Sequence, residues 1–292
     1  MAGRRILVRG TPYQIEEQIG YGLHSLVYGG RDLRTGQPVA IKITNFVHGS
    51  VGVKADTESR QQSFFKEIRM LLYLQRLNPY IIRVFAHDYN NGQGIIVMER
   101  GETLRDTFIE YMINGMPLPP FLVHRFWSQM VESIFYMHRI GIVHGDVKPE
   151  NFIQVGSDRT TLRLIDMGIS FQLPPNVTSR LKTAAGTPDY VSPEMVSSRV
   201  GSSSRSKCGY KADIWALGVI LFEMAFGYRP LQGLSTNSEK LRFLGFLHQD
   251  IKIPKHPNKN LRKVLQGCLR ANPRRRFTIE EVFGHPYVME GY

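Results

Sequence analysis

Cysteine is scarce in this sequence, with only Cys208 and Cys268 among 292 residues. Two thiols cannot build a disulfide framework, so a reducing compartment, cytoplasm or nucleus, is expected. Long apolar runs are also missing: none approaches the roughly 18 residues a membrane helix needs, so no membrane partner is expected. At the N-terminus Arg4 and Arg5 are followed only by Ile6-Leu7-Val8, too short for the apolar core of a secretory signal. The expectation is an intracellular, non-secreted chain. Acidic residues are the third shortfall, 25 against 37 basic, for a net charge of +12. Such an excess fits a nucleic-acid ligand, an acidic partner or simple solubility. No finger, recognition helix or base-stacking module accompanies it, so nucleic acid is not the expected ligand.

What remains is ordinary for a globular chain, 42% hydrophobic and 21% charged, enough for a full core. The stretch that organises it is Ile142 to Ile153, which runs Ile-Val-His-Gly-Asp-Val-Lys-Pro-Glu-Asn-Phe-Ile. Apolar anchors flank a loop that Pro149 keeps from closing into a helix. On that loop stand a carboxylate, Asp146, an ammonium, Lys148, and a carboxamide, Asn151. Phosphoryl transfer requires such a set: an acceptor for a hydroxyl proton, a cation near the moving charge and an oxygen ligand for Mg²⁺.

Upstream, Tyr13 to Ile19 reads as a strand leading into Gly20-Tyr21-Gly22-Leu23-His24-Ser25-Leu26-Val27, where glycines let a hairpin backbone lie close to phosphates. Val39-Ala40-Ile41-Lys42 reads as a strand. A lysine inside it either snorkels from an edge or has a buried partner. The spacing of Phe64, Ile68, Leu71 and Leu72 predicts a helix over Ser63–Gln75, with Glu67 among its apolar residues. Asn45 to Gln62 reads as a mobile connection. Ile81–Phe85 and Gly94–Met98 read as strands, the second ending at Glu99-Arg100-Gly101.

Downstream, Phe121–Ile140 carries an apolar stripe at helical spacing. Leu162–Ile165 reads as a strand ahead of Asp166-Met167-Gly168, and Ile169–Ala185 as a loop holding four hydroxyls, Ser170, Thr178, Ser179 and Thr183. Ser197–Gly209 reads as an exposed basic insert, with disorder favoured. Asp213 opens a nearly all-apolar helix that its carboxylate can cap.

In this order the motifs resemble a protein kinase over Tyr13–Val288. The spacing of His144, Asp146 and Asn151 is similar to the family's catalytic loop, Asp166-Met167-Gly168 to its Asp-Phe-Gly triplet, and Ser192-Pro193-Glu194 to its Ala-Pro-Glu. Ile81-Ile82-Arg83, Val97-Met98-Glu99-Arg100-Gly101 and Leu164-Ile165-Asp166-Met167-Gly168-Ile169 look like the monopolar-spindle (TTK) family of Ser/Thr and dual-specificity kinases. The His-Gly-Asp string also resembles the Bub checkpoint kinases.

The resemblance implies an α+β, bilobal kinase fold: a small antiparallel-sheet N-lobe with one main helix and hinge (1–101) and a larger, mainly helical C-lobe (102–292). It implies ATP bound through Ile19, Gly20, Gly22, Ser25, Val27, Ala40, Lys42, Met98, Glu99, Gly101 and Ile153. Mg²⁺ would be held by Asn151 and Asp166. Asp146 would accept the hydroxyl proton, Lys148 would steady the γ-phosphate, and Glu67 would fix Lys42. Asp213 would brace the catalytic loop, and Arg276 would pair with Glu194. Protein substrates with Ser, Thr or also Tyr acceptors follow, as do kinetochore or spindle partners in mitosis. The family is anchored there by a long N-terminal region absent from these 292 residues. Gly145 stands where many kinases have arginine, which removes the usual partner of a phosphorylated activation segment. The rival readings are a pseudokinase scaffold and a basic interaction module.

Overall fold

The computed structural model describes residues 3–22, 25–46, 54–90, 92–183, 187–197 and 205–290. The chain divides into two compact units. The first comprises Met1–Glu102 with Ile165–Gly168, the second Thr103–Leu164 with Ile169–Tyr292.

The first unit is an antiparallel sheet of β1 (Arg5–Val8), β2 (Thr11–Tyr21), β3 (Ser25–Asp32), β4 (Pro38–Asn45), β5 (Val84–Asn90) and β6 (Gln93–Glu99), in the order β1-β2-β3-β4-β6-β5. Strand side chains alternate between faces, and this sheet uses each face differently. One face holds a core of Val8, Tyr13, Ile15, Tyr28, Val39, Ile41, Ile43 and Val97. At about 25 cal/mol per Å² of apolar surface, each large side chain buried there contributes roughly 1.5–3 kcal/mol. The residues between them, Ala40 and Lys42, belong to the opposite face. β4 lies inside the sheet, so Lys42 is not an edge-strand lysine.

Helix α1 runs from Lys54 to Leu74, nine residues longer at its start than the apolar spacing predicts, because its first turns are polar and carry no stripe. Part of the expected mobile connection is therefore helix; residues 47–53 lie outside the described set. Phe64, Ile68, Leu71 and Leu74 are buried, and the Phe64 ring meets Phe46 edge-on at 5.4 Å. Ile81 and Ile82 are buried but precede β5, which starts at Val84.

Short strand β7 (Glu102–Thr103) leads into the second unit, where Thr103 and Asp106 form a capping box on α2 (Leu104–Ile113). Helix α3 (Pro120–Arg139) buries the predicted stripe. After it come β8 (Ile142–Val143), a 3-10 turn at Pro149–Asn151, and the hairpin β9 (Phe152–Val155) with β10 (Thr161–Leu164). Strand β11 (Phe171–Gln172) pairs with β8.

Two expectations fail next. Ser179–Thr183 forms a strand, β12, rather than a loop, and Arg205–Gly209 forms its antiparallel partner, β13, rather than disordered insert. The pairing is between segments more than 20 residues apart, and neither carries an apolar alternation that would announce a strand. Residues 198–204, the rest of the predicted insert, lie outside the described set.

Helix α4 (Pro193–Ser197) precedes α5 (Tyr210–Phe226), apolar around its circumference and buried accordingly. A helix buried on all sides needs partners on all sides; the Trp127 indole N–H donates to the Leu217 carbonyl at 3.0 Å. Gly209, not Asp213, is the N-cap of α5. The remaining helices are α6 (Asn237–Gly245), α7 (Lys259–Cys268), α8 (Ile279–Phe283) and α9 (Pro286–Met289). Cys208 and Cys268 are both free and buried, and burial pushes the Cys268 thiol up to about 12. No helix among the described residues is long and apolar enough to cross a membrane.

Candidate active site

In the first unit, strand register gathers the candidate nucleotide residues. Gly20 lies opposite Val27, Val27 opposite Lys42, and Ala40 opposite Met98. Opposed residues share a face, so these five line the face away from the core. Ser25, opposite Thr44, continues the row. Gly22 donates its N–H to the Ser25 carbonyl at 2.7 Å, and an added Cβ there would lie 2.8 Å from Ser25 Oγ. Gly20 has ordinary room for a side chain. Ile19 is exposed, and Leu23 and His24 at the hairpin tip lie outside the described set. Glu99 donates its N–H to the Arg83 carbonyl at 2.9 Å. Arg100, between Glu99 and Gly101, is turned back onto Glu16 at 3.1 Å and onto Glu17. That anchoring has no signature in the sequence.

Helix α1 supplies the lysine's partner. Lys42 Nζ donates to Glu67 Oε1 at 2.6 Å, both side chains largely buried. Burial opposes charge on Lys42, but Glu67 and Asp166 outweigh it and raise its pKa. Glu67 is raised by burial and by Asp166, against the pull of Lys42. Asp166 thus acts electrostatically on both members of the Lys42–Glu67 pair. Asp166 Oδ1 accepts the Gly168 N–H at 2.7 Å, and Met167 between them is buried.

In the second unit, Asp146 and Lys148 form an ion pair at 2.6 Å, and Lys148 Nζ also donates to Thr187 Oγ1 at 3.0 Å. Asn151 Nδ2 donates to the Asp146 carbonyl at 2.8 Å and lies 3.4 Å from its carboxylate. With the amide donor so engaged, the carboxamide oxygen is the atom available as a ligand. Ile153 is buried in β9.

Asp213 holds the loop from below. Its carboxylate accepts the backbone N–H groups of His144 at 2.9 Å and Gly145 at 2.8 Å, with His138 Nε2 at 2.9 Å. Burial would raise its pKa, but those hydrogen bonds and the nearby imidazoles outweigh it, and the carboxyl sits below its ordinary value. His138 enters this network from the end of α3; it stands among the stripe residues in sequence and nothing there marks it.

Gly145 has φ +80°, a left-handed backbone that glycine adopts without strain. Beside it Phe171 carries the Arg180 guanidinium 3.8 Å over its ring. Ser170 is buried and donates to the His144 carbonyl at 3.2 Å, so of the four predicted hydroxyls it is the one placed as structure. Thr178 is exposed, Ser179 half-buried, and the Thr183 side chain lies outside the described set.

Two further ion clusters lie in the second unit. Arg276 grips Glu194 in a two-pronged pair at 2.8 and 2.9 Å. Arg105 joins Glu150 at 3.0 Å, Glu223 at 2.8 Å and the Tyr190 hydroxyl. Burial, with Glu223 next, raises the Tyr190 pKa, so the phenol stays protonated. Arg105 and Glu223 are 118 residues apart, a separation over which sequence carries no pairing signal.

Among the described residues no group of three His, Cys, Asp or Glu forms a metal site by itself. Asp166 in the first unit and Asn151 in the second each offer a hard oxygen donor, the kind that Mg²⁺ takes alongside phosphate oxygens and water. Residues 13–288 match the family described as Protein kinase domain. Dual specificity protein kinase TTK of Mus musculus is 34% identical over 289 residues, 97% of this chain and 32% of that protein. Ttk of Danio rerio is 32% identical over 285 residues, 97% of this chain and 28% of its own length. The probable serine/threonine-protein kinase mps1 of Dictyostelium discoideum is 32% identical over 288 residues, again 97% and 28%. The chain thus spans about a third of the length of these curated relatives.

Proposed function

The chain belongs to the protein kinase family, and from that premise we propose that it transfers the γ-phosphoryl group of ATP to serine and threonine hydroxyls of proteins. Tyrosine is a second acceptor in this reading, in keeping with the dual-specificity names of two relatives. The observation that carries it is the Asp146–Lys148–Asn151 cluster, a carboxylate, an ammonium and a carboxamide held by hydrogen bonds on one loop.

In this mechanism Asp146 orients the acceptor hydroxyl and takes its proton. Lys148, tied to Asp146 and Thr187, steadies charge on the transferred group. Lys42, kept charged by Glu67, holds the α- and β-phosphates, while the row of Gly20, Ser25, Val27, Ala40 and Met98 receives the nucleotide. Mg²⁺, bound through Asn151 and Asp166, would supply charge neutralisation on the phosphates. Asp213 keeps the loop in one conformation by holding its backbone. Positioning and electrostatics are the main sources of rate in such a site.

Radiolabelled ATP and a generic protein substrate test this. Asp146→Asn should lower incorporation by about 10²–10⁴-fold, the range of general-base catalysis. Wild-type incorporation no higher than that of the variant would instead leave a pseudokinase scaffold. Phosphoamino-acid analysis of the product reads acceptor choice directly. A mitotic role at kinetochores or the spindle is the finer part of the proposal, supported by likeness to TTK and mps1. Imaging of the tagged protein through division tests it, and a signal unchanged by mitotic entry would sink it.

A further inference from the structure

The positive charge has an address. From Lys240 to Arg276 the chain carries eleven Lys and Arg residues and one acid, Asp250, so ten of the twelve net charges lie in this stretch. Among the described residues three of the eleven have ion-pair partners: Arg276 with Glu194, Lys240 with Asp189, and Arg270 with Asp250 at 2.6 Å.

Helix α7 sets the geometry of the rest. Leu261, Val264, Leu265 and Cys268 are buried. Lys259, Arg262, Lys263 and Gln266 stand at i, i+3, i+4 and i+7 on the other side, with Lys259 and Lys263 exposed, which is one face of a helix. Arg270 follows a turn later, and Arg274 and Arg275 are exposed beyond it. At about 1.5 Å per residue the helical part of this row, Lys259 to Gln266, is roughly 11 Å long.

Helix stability does not account for these charges. Lys259 is the first residue of α7, where the helix dipole disfavours a cation, and no acid occupies that first turn. Lys259 and Lys263 are also like charges one turn apart, which repel. Helices α2, α6 and α8 do the opposite, each with an acid in the first turn and a capping box. Solubility does not account for them either, since a solubilising surface mixes both signs. Two bordering carboxylates are already engaged: Asp250 with Arg270 and the Ala271 N–H, and Glu290 with Asn260 at 2.8 Å.

We propose that the outer face of α7, continued by Arg274 and Arg275, docks an extended Glu- or Asp-rich polypeptide segment. Alternate side chains of an extended chain are roughly 6.6 Å apart, close to the roughly 5.4 Å between turns of the helix. Arginine forks match carboxylates two-pronged. Single-stranded nucleic acid would call for aromatic stacking platforms, and no Phe, Tyr or Trp occurs between Asn258 and Arg276.

The test uses the full chain and fluorescein-labelled decaglutamate, with binding read by anisotropy at about 50 and about 200 mM salt. Binding should weaken with salt. Lys259→Glu/Arg262→Glu/Lys263→Glu should lose at least ~10-fold in affinity, while Arg4→Glu/Arg5→Glu/Arg34→Glu, an equal charge change in the first unit, should lose less than ~3-fold. Thermal unfolding and phosphorylation of a generic substrate should stay at wild-type levels in the α7 variant. If that variant unfolds, Lys259→Gln/Arg262→Gln/Lys263→Gln replaces it, with a loss of at least ~3-fold expected. Equal losses in both charge-reversal sets overturn the proposal, as does absence of wild-type binding at the lower salt. Tighter binding to a single-stranded oligonucleotide of equal charge, abolished by the same variant, also overturns it and assigns the surface to nucleic acid.

Discussion

Glu67 and Asp213 are both buried acids that hold other groups in place, yet they work differently. Glu67 reaches Lys42 through one side-chain contact at 2.6 Å, from a helix whose opposite side is exposed at Phe65 and Tyr73. Asp213 takes two backbone N–H groups and an imidazole, from a helix buried on every side. A single contact from a half-exposed helix breaks when the helix shifts by a fraction of a turn. Three contacts from the centre of the core do not break without unfolding. The hold on Lys42 is therefore the more adjustable of the two, and the backbone of the loop that carries Asp146 is the more preorganised.

Four substitutions or measurements probe that contrast. The largest effect belongs to Asp213→Ala, which strands two N–H groups and His138 without their acceptor. It should destabilise the protein by about 3–5 kcal/mol, read by chemical denaturation. A loss below about 1 kcal/mol would mean the brace is not structural. Glu67→Gln should leave unfolding within about 1 kcal/mol of wild type. It should still lower kcat/KM by roughly 10–100-fold, the equivalent of a charge-assisted hydrogen bond of about 1.5–3 kcal/mol. If instead both quantities fell together, the two acids would be alike.

Gly145→Ala comes next. A Cβ there has ordinary clearance, 3.5 Å from Cys208 Sγ, so the expected penalty is backbone strain alone, about 1–2 kcal/mol. The smallest effect is the pH dependence. The Asp213 pKa is depressed in the native state, so its stabilisation is present above the usual carboxylate range. It is lost as pH falls through the native value. Stability of the wild type should fall more steeply on the acid side than that of Asp213→Asn; parallel acid limbs would contradict the assignment.

These contrasts also explain what could be read ahead of the structure. The strand of Val39–Lys42, the stripe of α3 and the all-apolar α5 were legible because burial imposes a period or a lack of one. Glu67 was legible as a candidate only through resemblance, since an acid amid apolar helix residues is more often on a rim. The β12–β13 pairing was not legible. Its strands are short and polar, and the hydrogen bonds that define them are made by backbone, which sequence does not encode directly. Asp213 was expected to cap its own helix, and the structure moves the cap to Gly209. For the same reason Arg105 gave no warning: Glu150, Tyr190 and Glu223 come to it from three distant parts of the chain.

The brace at Asp213 has an evolutionary consequence. At position 145 it grips main chain alone, so it is blind to which side chain stands there. The side chain at 145 can change while the brace persists, whereas His144 also accepts the Asp146 N–H through its ring, at 3.2 Å. Only proline is barred by the brace, because it has no N–H to give. What keeps glycine comfortable at 145 is its own backbone angle, a local preference that selection can relax or tighten separately from the chemistry next door.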